Sequence, residues 1–438
     1  MKSMTRWLAA SGWCAALAMA QSSTAQQPKP RYSIKDMGTL GGAFSSAYGI
    51  NNAGWVTGGS ATATQTGLAQ TGFFWFGIGP LINLGTLGGP SSEAGGPNAL
   101  GESALISETA KADANGEDFC GFGTHKQCLA AIWRFGSLKA LPTLPGGNNA
   151  QAYWLNNGGQ VAGFAENGVA DATCSTATPF QVSRFEAVVW GADGKIKALS
   201  PLPGDTVSFA FGINNSGQVI GGSGVCANTS LPPTNPGAPH AVLWDSNGKP
   251  TDLGNLGAPG AFGVASSIND RGEVVGGAFS PIDGSIHAFM WTKGTGMQDL
   301  GALMPGAVLT TATCCNTVNN SGEIVGLALD ATFTPHAWVY KNKMMMDLNT
   351  LIPANSGWYL MSSCSLNDLG EIVGYGVING EMHSFLARPA FSDIGEVRVS
   401  PSFQEVTGMK TVPEEWRKAV MRRAPAGGAL IRLPGQQK

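Results

Sequence analysis

The stretch GINNSGQVIGG at 212–222 returns almost letter for letter as GINNAGWVTGG at 49–59. Each copy of a recurring phrase must build the same unit, and units that cannot bury their own faces must stack on their neighbours. Aligning on Asn-x-x-Gly followed by apolar residues recovers the phrase as WLNNGGQVAG (154–163), SINDRGEVVG (267–276), TVNNSGEIVG (317–326) and SLNDLGEIVG (365–374). A worn copy, NALGESALIS, starts at Asn98. The anchors are Asn51, Asn98, Asn156, Asn214, Asn269, Asn319 and Asn367, spaced 47 to 58 residues apart.

Two further phrases travel with the first. One is HAFMW (287–291), with relatives HAVLW (240–244), HAWVY (336–340), HSFLA (383–387), EAVVW (186–190), LAAIW (129–133) and TGFFW (71–75). The other is DMGTLGG (36–42), NLGTLGG (83–89), DLGNLGA (252–258) and DLGALMP (299–305), with weaker forms at 140–146, 198–204 and 347–352. In the first phrase two short apolar runs flank a turn. Asn caps its own backbone there and Gly takes the left-handed position, which gives a hairpin of strands a and b. The aromatic HAFMW run suits a strand c. After turn signals such as SNGK, the DLG segment supplies a short strand d.

A lone four-stranded sheet leaves its faces bare, so the units form a solenoid or a closed ring. The chain ends decide between them. A d-type strand, YSIKDMG, comes first with no a, b or c before it; the last repeat supplies a, b and c with no d. A ring closed by pairing Tyr32–Gly38 with the strand near His383–Pro389 satisfies both edges. The expected fold is therefore all-β: a seven-bladed β-propeller over residues 31–389, followed by a short C-terminal tail (390–438). In the tail, Thr411 and VPEEWRKAVMRRA carry the capping, proline and charge signals of a helix at 412–424.

The first 25 residues read as a signal peptide: basic MKSMTR, an apolar run, then small residues allowing cleavage before Gln21 or Gln26. The chain is thus expected to be secreted or periplasmic, with no membrane span once the signal is removed. Seven cysteines remain, in a compartment that permits disulfides. Cys120 and Cys128 are placed to close a small loop. Cys174 and Cys226 are placed to link blades three and four, and Cys314 or Cys315 to bridge to Cys364. Charged residues make up only 13 %, and the net charge is −3. That leaves no basic surface for nucleic acid.

HAFMW, INDRGEVVGG and DMGTLGG resemble the HAF-repeat extracellular proteins, a family named for its His-Ala-Phe triplet. The resemblance covers about residues 31–389. It implies an exported bacterial protein and carries no common activity. Blades two and three depart from the pattern, lacking the His and having long b–c loops.

His240, His287, His336 and His383 recur at one position of four blades, so they are expected to serve the blade rather than a reaction. Equivalent positions on a wide ring lie too far apart to share a metal. In a propeller the b–c loops emerge on one face and the a–b and c–d turns on the other. The insertions, about 109–128, 164–185 and 223–239, all fall in b–c loops, which makes that face the expected binding surface.

The blade-two insertion, ETAKADANGEDFCGFGTHKQC, is the most distinctive. Asp113, Glu117, Asp118 and His125 are its acid–base candidates. Asp113, Asn115, Glu117 and Asp118 are weak candidates for a loop-bound calcium, the one cofactor considered. The plainer reading is a solvated, disulfide-pinned loop. The function these observations favour is an exported, non-catalytic and monomeric binding module for an extracellular glycan or protein. The alternative is a secreted polysaccharide lyase or hydrolase with its site on the same face.

Overall fold

A computed structural model describes residues 31–172, 174, 181–226, 240–257, 261–312, 316–390 and 414. The chain enters on β1 (Tyr32–Asp36). The first blade is β2 (Gly41–Ile50), β3 (Val56–Thr62), β4 (Thr71–Trp75) and β5 (Ile82–Asn83). The second is β6 (Gly88–Pro97), β7 (Ser103–Ala112), β8 (Lys126–Arg134) and β9 (Ser137–Ala140). The third is β10 (Ala150–Leu155), β11 (Val161–Ala170), β12 (Ser183–Trp190) and β13 (Ile196–Leu199). The fourth is β14 (Val207–Ile213), β15 (Val219–Gly224), β16 (His240–Trp244) and β17 (Pro250–Asp252). The fifth is β18 (Gly263–Ile268), β19 (Val274–Phe279), β20 (Ile286–Thr292) and β21 (Gly296–Asp299). The sixth is β22 (Leu309–Thr311), β23 (Ile324–Leu329), β24 (Pro335–Lys341) and β25 (Met344–Asp347). The chain then adds β26 (Trp358–Leu366), β27 (Ile372–Ile378) and β28 (Glu381–Pro389).

The last three strands take β1 as their fourth. β1 pairs antiparallel with β28, in register from Tyr32 opposite Pro389 to Asp36 opposite Phe385. Single parallel pairings, Phe44 with Met382 and Ile286 with Leu309, join two neighbouring pairs of units edge to edge; apart from these the described strands fall into seven units of four, and the fold is an all-β propeller. The outer strands end earlier than the DLG phrase suggests. β17 and β21 stop at the Asp, because its carboxylate accepts the N–H of the Gly two residues on: Gly254 at 2.8 Å and Gly301 at 2.7 Å. The phrase after the Asp is the crossover to the next blade.

The repeat's glycines and aromatics fit together inside each blade. The turn glycine, Gly217 in blade four, has φ +76°, which a side chain disfavours. The strand-b glycine has a different reason. A Cβ on Gly163 would stand 1.9 Å from the Gln151 carbonyl oxygen of strand a and 2.9 Å from the Trp190 ring of strand c. In blade six a Cβ on Gly326 would likewise stand 2.6 Å from the Trp338 ring, and Trp190, Trp244 and Trp338 are fully buried.

The seven anchor asparagines form a circle. Asn51 Nδ2 donates to the carbonyl of Asn98 at 2.9 Å, Asn98 to that of Asn156, Asn156 to Asn214, and Asn214 to Asn269. Asn269 donates to Asn319, Asn319 to Asn367, and Asn367 returns to Asn51 at 3.1 Å. Asn214 shows why only asparagine serves. Its Oδ1 accepts from Ser216 N and Gln218 N, and its second Nδ2 proton goes to Gln218 Oε1. All four hydrogen-bonding capacities of a short amide are used.

Residues 1–25, the signal reading, lie outside the described residues. So does the helix expected at 412–424, except Glu414, which is helical and exposed.

Candidate binding face

The repeat histidines are bound within their blades. Each strand-c His meets the Asp that ends strand d: His240 Nδ1 to Asp252 at 3.2 Å, and His287 Nδ1 to Asp299 and His336 Nδ1 to Asp347, both at 2.9 Å. His383 Nδ1 meets Asp36 at 2.9 Å across the closure. The hydrogen bond from Asp252 holds His240 above the ordinary imidazole value. Burial alone would lower His336, but Asp347 and then Asp330 outweigh it and raise the value. Where the His is missing the Asp is missing too. Blade one has Thr71 and Asn83, blade two Leu129 and Ala140, blade three Glu186 and Ala198 at the two positions.

The b–c loop of blade two is braced against blade three. Asp113 Oδ1 accepts from Asn115 N and Glu117 N, each at 2.8 Å, which folds the loop into a tight turn. Its Oδ2 accepts Asn148 Nδ2 at 2.6 Å and Asn149 Nδ2 at 2.8 Å from the d–a crossover ahead of β10. Asn149 Nδ2 also reaches Glu117 Oε2 at 3.1 Å and Glu166 Oε2 at 3.2 Å. Glu117 Oε1 accepts Val182 N from blade three's own b–c loop, and Gln151 Nε2 donates to the Phe119 carbonyl. The Cys120–Cys128 disulfide closes the loop, and Cys174–Cys226 ties the loops of blades three and four.

Three carboxyl groups thus crowd one amide, and Glu117 and Glu166 are about 1 % and 0 % exposed. Burial first, and the Glu117 carboxylate second, push Glu166 up to about 9. Its Oε1 is buried and has no N–H or hydroxyl donor, so Glu166 keeps its proton at neutral pH.

The structure brings Asp113 and Glu117 together but buries them. Asp118 turns back on its own loop and accepts Gly123 N at 2.9 Å, and His125 Nδ1 bonds the Gly116 carbonyl at 2.8 Å. Asn115 is exposed and points its backbone, not a shared ligand set, at Asp113. Among the described residues no group of three or more His, Cys, Asp or Glu is disposed to hold a metal ion. Asn149 occupies the centre of the acid cluster. Sequence reasoning missed Asn148, Asn149 and Glu166, which carry no repeat signal. The bridge expected at Cys364 is corrected: its thiol is free and buried among inner strands, 3.6 Å from Ser362 Oγ. Cys314 and Cys315 lie outside the described residues.

The exposed side chains of this loop are polar Lys111, Asn115 and His125 together with the small Ala110, Ala112 and Ala114. The b–c connections of blades five and six, by contrast, are short turns closed by Ser280 and Asp330. Among the described residues, cross-blade ties of this kind join the b–c loops of blades two, three and four, and Gln65 Nε2 ties the shorter blade-one loop to the Pro90 carbonyl of blade two at 2.9 Å.

No family model matches the chain, and no curated protein matches it. Among solved structures it is similar to the β-propeller domain of the Trilobed protease from Pyrococcus furiosus, at 8% identity and TM-score 0.46, covering 79% of this chain and 95% of that one. It is similar to puromycin hydrolase at 10% identity and TM-score 0.45, covering 82% of this chain and 55% of the hydrolase, so the chain spans about half of that enzyme. It is also similar to the Aleuria aurantia lectin in complex with Fucalpha1-6GlcNAc, at 10% identity and TM-score 0.34, covering 72% of this chain and 98% of the lectin. These likenesses assign the chain no activity.

Proposed function

We propose that this is an exported, non-catalytic binding module of the HAF-repeat type, which holds an extracellular glycan or protein on the braced loops over blades two to four. One observation carries the reading: loops of three consecutive blades are locked to one another by Glu117, Asn149 and the Cys174–Cys226 disulfide. Loops that need only hold a blade together have no reason to be tied across blades. Loops that must present one surface do, because ordering them in advance removes the entropy cost of binding. Two disulfides fit an oxidising compartment. The polar groups exposed on the blade-two loop are an amide, an imidazole and an ammonium, which suit the hydroxyls of a glycan or a polar protein rim.

The acids considered for catalysis serve this bracing. Asp113 and Glu117 are spent on Asn149 and on backbone N–H groups, so they present no open carboxylate to a polymer substrate. The test is a glycan and protein-ligand screen with the full chain and with a Lys111→Ala/Asn115→Ala/His125→Ala variant. The reading expects a ligand for the parent and its loss in the variant at unchanged Tm. Binding that survives all three changes removes this loop from the site.

A further inference from the structure

The face opposite the braced loops carries a second anomaly. In the a–b turns, the residue four past the anchor is Glu or Gln in six blades: Glu102, Gln160, Gln218, Glu273, Glu323 and Glu371. Three of these pair with a base at the end of strand c, as Glu102–Arg134, Glu323–Lys341 and Glu371–Arg388. Blade one replaces the ion pair with Trp55 and Phe76, whose rings meet edge-on at 5.3 Å. Phe76 also lies against Phe74 at 4.4 Å.

Neighbouring turns extend this apolar surface. Leu100 of blade two and Leu369 of blade seven are 57 % and 66 % exposed, and Phe135 at the c–d turn of blade two is 84 % exposed. The turn positions matching Leu100 elsewhere are Gly158, Ser216, Arg271 and Ser321. The three turns are adjacent: Asn367 bonds Asn51, and Asn51 bonds Asn98. A Cβ on Gly101 would stand 3.3 Å from the Trp55 ring, so the blade-two turn sits against it. The result is an apolar arc across blades seven, one and two, confined to the tight-turn face. Contiguous exposed apolar surface of this kind marks a docking site.

The chain leaves the ring at the edge of that arc. β28 ends beside the blade-seven a–b turn: Arg388 Nε pairs with Glu371 at 2.7 Å, and Pro389 Cγ lies 3.4 Å from where a Gly370 Cβ would stand. Leu369 is the next residue along that turn. The sequence continues for 48 residues after Ala390. The roughly twenty residues before Val412 reach about 65 Å at full stretch, enough to deliver the segment VPEEWRKAVMRRA to any of three adjacent turns. In that segment Val412, Trp416, Val420 and Ala424 recur every four residues and so share one face of a helix.

We infer that the segment after Ala390 folds back on its own ring and lays the Trp416–Val420 face over the apolar arc of blades seven, one and two. The occupant is this chain's own tail. The exit point adjoins the arc, the arc lies in the blades next to that exit, and the sequence that follows the exit carries an apolar stripe.

Hydrogen exchange read by mass spectrometry on the full chain tests this, comparing the parent with Trp416→Asp/Val420→Asp. These changes lie outside the ring, so the ring stays folded in both. The inference expects amides at 53–56, 76–80, 99–102 and 135–137 to exchange about tenfold faster in the variant, with β10–β25 unchanged. A benzoylphenylalanine in place of Trp416 is expected to cross-link to one of those turns within the same chain. Identical exchange in the two proteins overturns the inference. So does a dimer that Phe76→Asp dissociates while the tail cross-links to nothing in its own chain, since a second copy would then cover the arc.

Discussion

His383 Nδ1 lies 2.9 Å from the Asp36 carboxylate, 347 residues away in sequence. The relationship is the one His240, His287 and His336 make with an Asp eleven or twelve residues ahead. The two ends of the chain therefore rebuild a local contact that other blades make within one hairpin. That equivalence, together with the Asn367-to-Asn51 bond, defines the closure.

A double-mutant cycle on His383→Ala and Asp36→Ala is expected to show a coupling of about 0.5–1 kcal/mol in urea denaturation, modest because the carboxylate is partly solvated. Additive effects would mean that the two side chains do not meet in solution.

Asn214→Ala removes both donors and both acceptances of one ring amide, and is expected to lower stability by about 2–4 kcal/mol. Asn214→Asp keeps the acceptor but sets a carboxylate against the Asn269 carbonyl and Gln218 Oε1. Its loss is expected to be larger at pH 7 than near pH 4, where the new carboxyl group can donate. A urea midpoint series at the two pH values reads both.

The His–Asp pairs give the propeller a defined pH window. His240 and His336 have raised values, so their contribution is complete below the ordinary imidazole value of about 6.5 and is lost as pH rises through the folded values. Asp252, lowered chiefly by its hydrogen bond to His240, contributes above the ordinary carboxylate range and loses that contribution as pH falls through its folded value. The contribution of these pairs is expected to be level between these limits, superposed on any slope from other groups, and His336→Gln is expected to flatten the alkaline side of the Tm profile. An unchanged alkaline side in that variant contradicts the assignment.

Glu166 behaves in the opposite sense from Asp252. Its folded value of about 9 exceeds the unfolded one, so stability falls as pH rises between the ordinary carboxylate value and about 9. Glu166→Gln supplies a permanent donor toward Glu117 and removes that slope. Its denaturation free energy is expected to match the parent near pH 4 and to exceed it by about 3 kcal/mol at pH 7. Parallel curves would contradict the raised value of Glu166.

The architecture was legible because its signals recur. Seven anchors, seven strand-c phrases and one displaced strand d lead to seven blades and to the ends that close them. The structural role of the histidines was readable as well, since a residue recurring at one position of four blades serves the blade; their Asp partners were not singled out and emerge from the structure. The second function of the anchor Asn was not: its own turn uses its Oδ1 and one Nδ2 proton, and the other proton finds use only when the next blade's carbonyl is in place. Asp113, Asn149 and Glu166 sit in different parts of the repeat and occur once, so no period reveals their meeting. Acidic residues in a loop also look alike whether they face solvent or, as Glu117 does, a neighbouring backbone N–H.

Hydrogen exchange of the amides in Tyr32–Asp36, measured on the full chain, tests the closed ring most directly. Closure predicts protection of this segment comparable to that of the outer strands β21 and β25, because it is hydrogen-bonded to β28. Exchange at the rate of unprotected chain, with β26–β28 still protected, would leave the ring open and contradict the account.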